Sequence, residues 1–469
     1  MPGYRIHLLF CLLVFILAGC GNQDVNLIKE IHIGLHNNNE LKIQVEVSTI
    51  EKTDLYVEYW PDSIPHPVKI KSVTSLGKTA HSLVLCNIIP STKYKYDIVT
   101  ISNGKETRSK EYDFESKPLP FWLEEQFKYN AAFADSLPGK FKTGWMLLNK
   151  RETPGVAYIV DYKGRIRWYH VVDKTGFKVT HFTKDTTILS ILGKNDEPTS
   201  YGSEILEVNL NGDTVLHLKK GQGDFNQVIH HEILKNDKGQ IVTLFVDKRV
   251  IDLRTVGGAA KDTVNGDGIL ILDKQGKKLW QWSVFDVVDP LGDPKLLATK
   301  KDWMHANSLN YDKDGNYLIS FYNNGQIWKV DAATGRVIWK FGKAGTIIMP
   351  ADCSFSQAHA VHINQEGSLM FFDNGVEERR SEIYAVKIDE AAKTSQLTLH
   401  IKLPGEIYND RMGSAYMIND TTVLCCSSKR HITVLTNRKG VLLWTLDTAI
   451  PPYRVEFIDE KKMAPYLIN

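Results

Sequence analysis

Three histidines in the second half of the chain stand in similar surroundings. His231 precedes Glu-Ile-Leu and a polar turn at Gly239. His305 follows Asp302-Trp303-Met304 and precedes Asn307-Ser308-Leu309, and His359 precedes Ala-Val-His-Ile and a turn at Gly367. His231 and His359 each lie eight residues ahead of their turn glycine, as expected of corresponding places in two copies of one repeat. A neutral imidazole, with an unperturbed pKa of about 6.5, is both a nucleophile and a proton carrier near neutral pH. Three that converge could pass a group through a covalent intermediate. Three His ligands with an open position are also a catalytic zinc set, but the sequence offers no recognisable carboxylate shell around these, so the metal reading is the weaker one. Taken singly, each is equally well a buried hydrogen-bonding residue, and only their coincidence argues for a site. The stretch Ser354 to Gly375 reads as strand, turn and strand, stopped by Asp373-Asn374-Gly375; His359 stands ahead of the first strand, and His362, three residues later, is read as structural or supporting.

The elements that must bring these residues together are repeats of short strands. An aliphatic strand, a turn with Asp or Asn and Gly, and a second strand often ending in Trp recur as Ala157 to Trp168, Ile205 to Val215, Ile269 to Trp280, Ile327 to Trp339, Ile383 to Leu399 and Ile432 to Trp444. The copies lie about 50 to 60 residues apart, the range of blade-type repeats. Second hairpins such as His231 to Val242 and Leu309 to Ile319 lie between them, so each repeat holds two hairpins. The expectation is an all-β chain: a six-bladed β-propeller over residues 118–469, with the loops that enter the innermost strands meeting at one mouth of a central channel. Glu125 to Asp135 reads as a short amphipathic helix just ahead of it. Residues 21–117 read as a small fibronectin type III or immunoglobulin-like β-sandwich, since Lys42 to Val47, Leu55 to Tyr59 and Ser82 to Leu85 alternate and a Pro90-Ser-Thr92 turn leads into alternating tyrosines. The Pro-rich link Lys117-Pro-Leu-Pro120 marks the boundary.

Residues 1–20 have the form of an export signal, with Arg5 and His7 ahead of an apolar run that ends in Leu17-Ala18-Gly19-Cys20. That ending resembles a lipoprotein lipobox and implies lipidation at Cys20. The expected product is anchored to a bacterial membrane by lipid alone, on the periplasmic or cell-surface side. A formal net charge of +2 on 469 residues gives no support to a nucleic-acid partner. Cys86, Cys353, Cys425 and Cys426 have no metal-knuckle spacing; a bridge from Cys353 to one of the adjacent pair is left open, as is a homo-oligomer.

Residues 120 to 469 resemble the bacterial arylsulfotransferase (arylsulfate sulfotransferase) family. The resemblance is carried by Asp302 to Ser320, Gly325 to Asp331 leading to Ile338-Trp-Lys-Phe-Gly342, Phe355 to Gly375, and Met412-Gly-Ser-Ala415. It implies transfer of a sulfuryl group from an aryl sulfate donor to a phenolic acceptor by a ping-pong route, with no nucleotide sulfate donor, metal or other cofactor. It implies that His359 becomes sulfated, that His305 and His231 support it, and that Asn307 belongs to the substrate site. The chain departs from the family at Ser320-Phe-Tyr-Asn323, where Tyr322 replaces an arginine that contacts the sulfate. Tyrosine offers one hydrogen bond and neither charge nor fork. Either another base such as Arg411 reaches the sulfate, or the enzyme is slower or prefers another donor, or the chain has become a binding protein. The competing function is accordingly a non-catalytic ligand-binding or adhesion propeller; a quinone-dependent dehydrogenase propeller is weaker, because no calcium-binding Asp/Asn set stands out.

Overall fold

The computed structural model describes residues 27–65 and 67–463; the signal segment and Cys20 lie outside the described residues. Six sheets of four or five antiparallel strands form a ring. The six repeats recognised in the sequence are the outer hairpins of these sheets. In three of the turns an Asp or Asn side chain accepts backbone N–H groups two and four residues on: Asp161 from Lys163 and Arg165, Asp273 from Gln275 and Lys277, and Asn437 from Lys439 and Val441. A glycine follows with φ between 73° and 95° at 164, 212, 276, 335 and 440, a region open to Gly at little cost.

The tryptophans that end the outer hairpins join one blade to the next. The Nε1–H of Trp168 donates to Leu210 O at 2.7 Å, Trp282 to Gly335 O at 2.8 Å, Trp339 to Glu390 Oε1 at 3.0 Å and Trp444 to Tyr162 O at 2.8 Å. Each acceptor lies in the outer turn of the following blade, so a large apolar body is buried while its one donor is satisfied. In the third blade Trp282 makes this bond, and Trp280 stacks on Tyr317 instead.

Closure uses both ends of the ring. Glu456–Ile458 pairs with Trp145–Lys150 as the innermost strand of the first blade. Phe127–Asn130 pairs with Leu442–Thr448 at the outer edge of the last. This corrects the helix expected over 125–135: apart from a single 3-10 turn at Ala134–Ser136, the segment serves as an edge strand, because an open ladder on the sixth blade satisfies its backbone better than a solitary short helix could.

Seven strands between Ile28 and Glu115 form one sheet. Its two halves are joined by the 23-residue strand Asn39–Pro61, which pairs first with Ile28–His36 and Ser75–Leu85 and then with Lys93–Ser102. This sheet docks on the outer edge of the first blade. Asn39 Nδ2 donates to Tyr169 O, Arg167 donates to Asn87, and the Lys42 ammonium lies 4.7 Å from the Trp168 ring. Cys86, Cys353, Cys425 and Cys426 are all buried and free, so the bridge left open by the sequence is not formed.

Candidate active site

The innermost strands begin at one mouth of the channel and end at the other. A cavity of about 750 Å3 opens at the first mouth, and His231, His305, His359, Asn307, Tyr322 and Arg411 all line it. Three blades turn these side chains inward by breaking the ladder in the same place. Register shifts fall between His230 and Ile233, between Ala306 and Ser308, and between His359 and His362. His231, His305 and Ala360 adopt φ of 57°, 56° and 52°, uncommon for residues other than glycine. Bulges of this kind re-aim side chains at barrel and channel mouths.

His359 is buried, and its Nδ1–H donates to Gly413 O at 2.7 Å. That bond leaves Nε2 as the unprotonated nitrogen. The Tyr453 hydroxyl lies 3.3 Å from Nε2. The Gly413 carbonyl is itself held in place by the Asp373-Asn374-Gly375 stretch noted in the sequence. Asn374 Nδ2 donates to Asn409 O at 2.7 Å and to Met412 O at 2.9 Å, pinning the turn that carries Gly413. Only glycine fits there: at φ 94° a Cβ would lie 2.8 Å from Cys426 O and 2.9 Å from the Phe372 ring. Burial, and then the nearby Arg454 guanidinium, hold the His359 pKa well below that of free histidine, so the imidazole is neutral at physiological pH.

The two companions are shifted in opposite directions. The Nδ1–H of His305 donates to Asp302 Oδ2 at 2.5 Å; burial opposes the charged form, but the Asp302 contact outweighs it and raises the pKa. His231 is pushed well below its ordinary value, first by burial and then by the neighbouring histidines. Its ring centroid lies 4.9 Å from that of His305. Asn307 is buried with Oδ1 accepting from Ser320, and its Nδ2 has no partner, which leaves an amide donor beside the cavity.

The Tyr322 hydroxyl donates to Asp410 O at 2.9 Å, and its ring lies 5.3 Å from that of His305. Arg411 stands at the rim, its side chain 64% exposed and facing Asp410 at 3.4 Å.

The buried cation near the histidines is Arg454, which sequence reasoning missed. Nη1 donates to Glu232 Oε2 at 2.5 Å, and Nη2 to Asn307 O at 2.9 Å and to His231 O at 3.4 Å. Glu232 also meets His181 at 2.5 Å, and His181 meets Glu456 at 3.2 Å. Arg454 enters just ahead of the C-terminal strand that closes the first blade, so the signal for it was the ring closure, not a motif. Asp267, which faces His230, was equally hidden because it comes from another strand of the third blade, whereas Asp302 stands three residues ahead of its partner His305. The donor atoms of His231, His305 and His359 are not gathered as a ligand set: among the described residues such a group within 4.8 Å occurs at Asp312, Asp314 and Glu390, where Lys329 already pairs with all three.

The structural neighbours are distant. A protein of unknown function from Bacteroides caccae is 10% identical, with a TM-score of 0.43, over 67% of this chain and 99% of its own. A virginiamycin B lyase from Staphylococcus aureus is 10% identical, with a TM-score of 0.32, over 69% of this chain and 100% of its own. At these scores nothing is carried over from either. No curated protein matches the chain. A family model does: the one described as Arylsulfotransferase (ASST) matches residues 132–442. With that match over most of the ring, the chain belongs to the arylsulfotransferase family.

Proposed function

We propose that this aryl sulfotransferase works by a ping-pong route through sulfated His359. The observation that supports it most is the fixed tautomer of His359, with Nδ1–H on the Gly413 carbonyl, in a residue that lines one cavity with His231 and His305. In the first half-reaction the Nε2 lone pair attacks sulfur, the S–O bond of the aryl sulfate breaks, and the phenolate leaves with a proton from a neighbouring histidine. In the second, the acceptor oxygen attacks the same sulfur, the N–S bond breaks, and the phenol proton returns to the enzyme. The unpartnered Asn307 amide and the Asp302-paired His305 are preorganised donors for charge on the sulfuryl oxygens. The place of action is outside the cytoplasm, on a lipid anchor at Cys20.

The test is incubation of the mature protein with a chromogenic aryl sulfate, with and without phenol. Acceptor-dependent release of chromophore is expected, with one added sulfuryl mass in the wild type and none in His359→Ala. No turnover and no adduct across a panel of donors would leave the chain a binding propeller.

A further inference from the structure

His231 does not stand alone at the cavity. Its Nδ1 lies 2.8 Å from Nδ1 of His230, and Nε2 of His230 lies 3.4 Å from Asp267 Oδ1. Both His230 and Asp267 are buried and Asp267 borders the same cavity; the two meet at ion-pair distance, and His230 Nε2 and Asp267 Oδ2 are each left without another hydrogen-bond partner, so a turn of the carboxyl is what brings them into line. Tyr201 stacks on His230 at 5.0 Å and closes the other side. A neutral imidazole carries one N–H, so the His230–His231 contact can be filled in just two ways. If Asp267 is protonated, its O–H donates to His230 Nε2, the His230 Nδ1–H donates to His231, and His231 presents Nε2–H to the cavity. If Asp267 is ionised, every proton is displaced by one bond and His231 presents a bare Nε2.

We infer that Asp267 and His230 form a proton relay that switches His231 between acid and base and stores the proton between the two half-reactions. This rests on the transfer through His359 proposed above. As the S–O bond of the donor breaks, His231 Nε2 gives its proton to the phenolate oxygen, His230 Nδ1–H replaces it on His231 Nδ1, and Asp267 O–H replaces that on His230 Nε2. The enzyme is then sulfated with Asp267 ionised. The acceptor phenol drives the same three transfers backwards, so no proton is gained or lost over a full cycle. Asp267 suits the storage role. Burial and then the negative charge of Asp302 push its carboxyl up to about 7, while His305 and the backbone N–H groups of Ala306 and His305 pull the other way. Burial brings His230 down to about 4, so it stays neutral as a relay member must. Among the groups facing Asp267, Asp302, His305, His230 and Tyr201 are the titratable ones.

Asp267 and His230 are positioning residues that act through His231, and leaving-group dependence isolates their part. General acid–base assistance contributes about 100-fold or more where a phenol of pKa about 10 must be protonated, and little where an acidic nitrophenol leaves as its anion. Asp267→Asn is therefore expected to lower kcat/KM about 100-fold for phenyl sulfate while leaving the nitrophenyl ester within several-fold of wild type, and to remove the limb of the pH profile near 7. His230→Gln should give the same split and decides the matter if Asp267→Asn does not fold. Equal loss on both esters, or loss on neither, overturns the relay. Nitrogen-15 NMR of the unaltered protein gives an independent reading: the His231 tautomer should invert as pH passes through 7, and a fixed tautomer overturns the relay. Absence of any His359 adduct in wild type overturns the transfer reading beneath it, a different outcome from an adduct without the leaving-group split.

Discussion

The channel has two mouths, both lined with histidine, and they put the residue to opposite uses. At the first, His359 and His231 are neutral and turned into a 750 Å3 cavity by bulges at the starts of their strands. At the second, a cavity of about 460 Å3 is lined by the far ends of the same strands, where His362 and His181 stand. There the ladders run without bulges. His362 Nδ1–H is tied to Ala360 O at 3.0 Å, and its ring lies against Tyr416. His181 is clamped between Glu232 and Glu456; burial opposes its charge, yet the two carboxylates raise its pKa to about 9. Glu232 is likewise held down to about 2, since Arg454 and His181 outweigh the cost of burial. Burial without an anion keeps His359 and His362 neutral and burial between two carboxylates favours the charged form of His181; on the one strand that carries His359 and His362, what differs is the cavity each lines and the carbonyl that ties each ring.

The sharpest way to break the comparison is along that one strand. His359→Ala should lower kcat by on the order of 1000-fold or more, whereas His362→Ala should leave kcat within several-fold of wild type. Steady-state rates with a chromogenic aryl sulfate compare them directly, and equal losses would erase the distinction between the mouths.

The next effect is on stability. Glu232→Ala strands Arg454 and His181 as buried charges and should cost about 3–5 kcal/mol in urea unfolding.

The pH dependence sharpens the same point. His181 has a folded pKa of about 9 against an ordinary 6.5, so its contribution is full below pH 6.5 and lost as pH rises through 9. Glu232, at about 2 against 4.5, contributes fully above pH 4.5 and loses that contribution as pH falls through 2. The trio is thus most stabilising between pH 4.5 and 6.5, and the alkaline fall in Tm should flatten in His181→Gln.

Smaller changes are expected at the rim. Tyr322→Arg puts a guanidinium beside His305 and should raise kcat/KM for the donor about 10-fold. Arg411→Ala removes an exposed side chain and should change it less than twofold, within the range of an exposed ion pair.

Much of this was legible in local patterns. The Asp/Asn-x-x-Gly turns and hairpin-ending tryptophans repeat at blade spacing, and they do so because each blade needs the same turn and the same lock onto its neighbour. His231, His305 and His359 could be singled out because they precede corresponding inner hairpins, and Asn307 and Tyr322 followed from the stretches around them. Two things escaped. Phe127–Asn130 has no pattern of its own to mark it as a strand, because its partner is Leu442–Thr448 at the other end of the ring. Arg454, Asp267 and the pair His230 and Glu232 carry no shared spacing, because three different strands or strand ends deliver them to one place.

By itself, then, the sequence determined the blade repeat and the six-membered ring it implies, since these depend on short-range alternation, turn chemistry and spacing. The tertiary structure alone decided what each histidine can do. Protonation depends on burial and on groups a few ångströms away, and several of these come from distant parts of the chain: Gly413 fixes the tautomer of His359, and Glu232 and Glu456 hold His181, while Asp302, only three residues ahead of His305, raises its pKa.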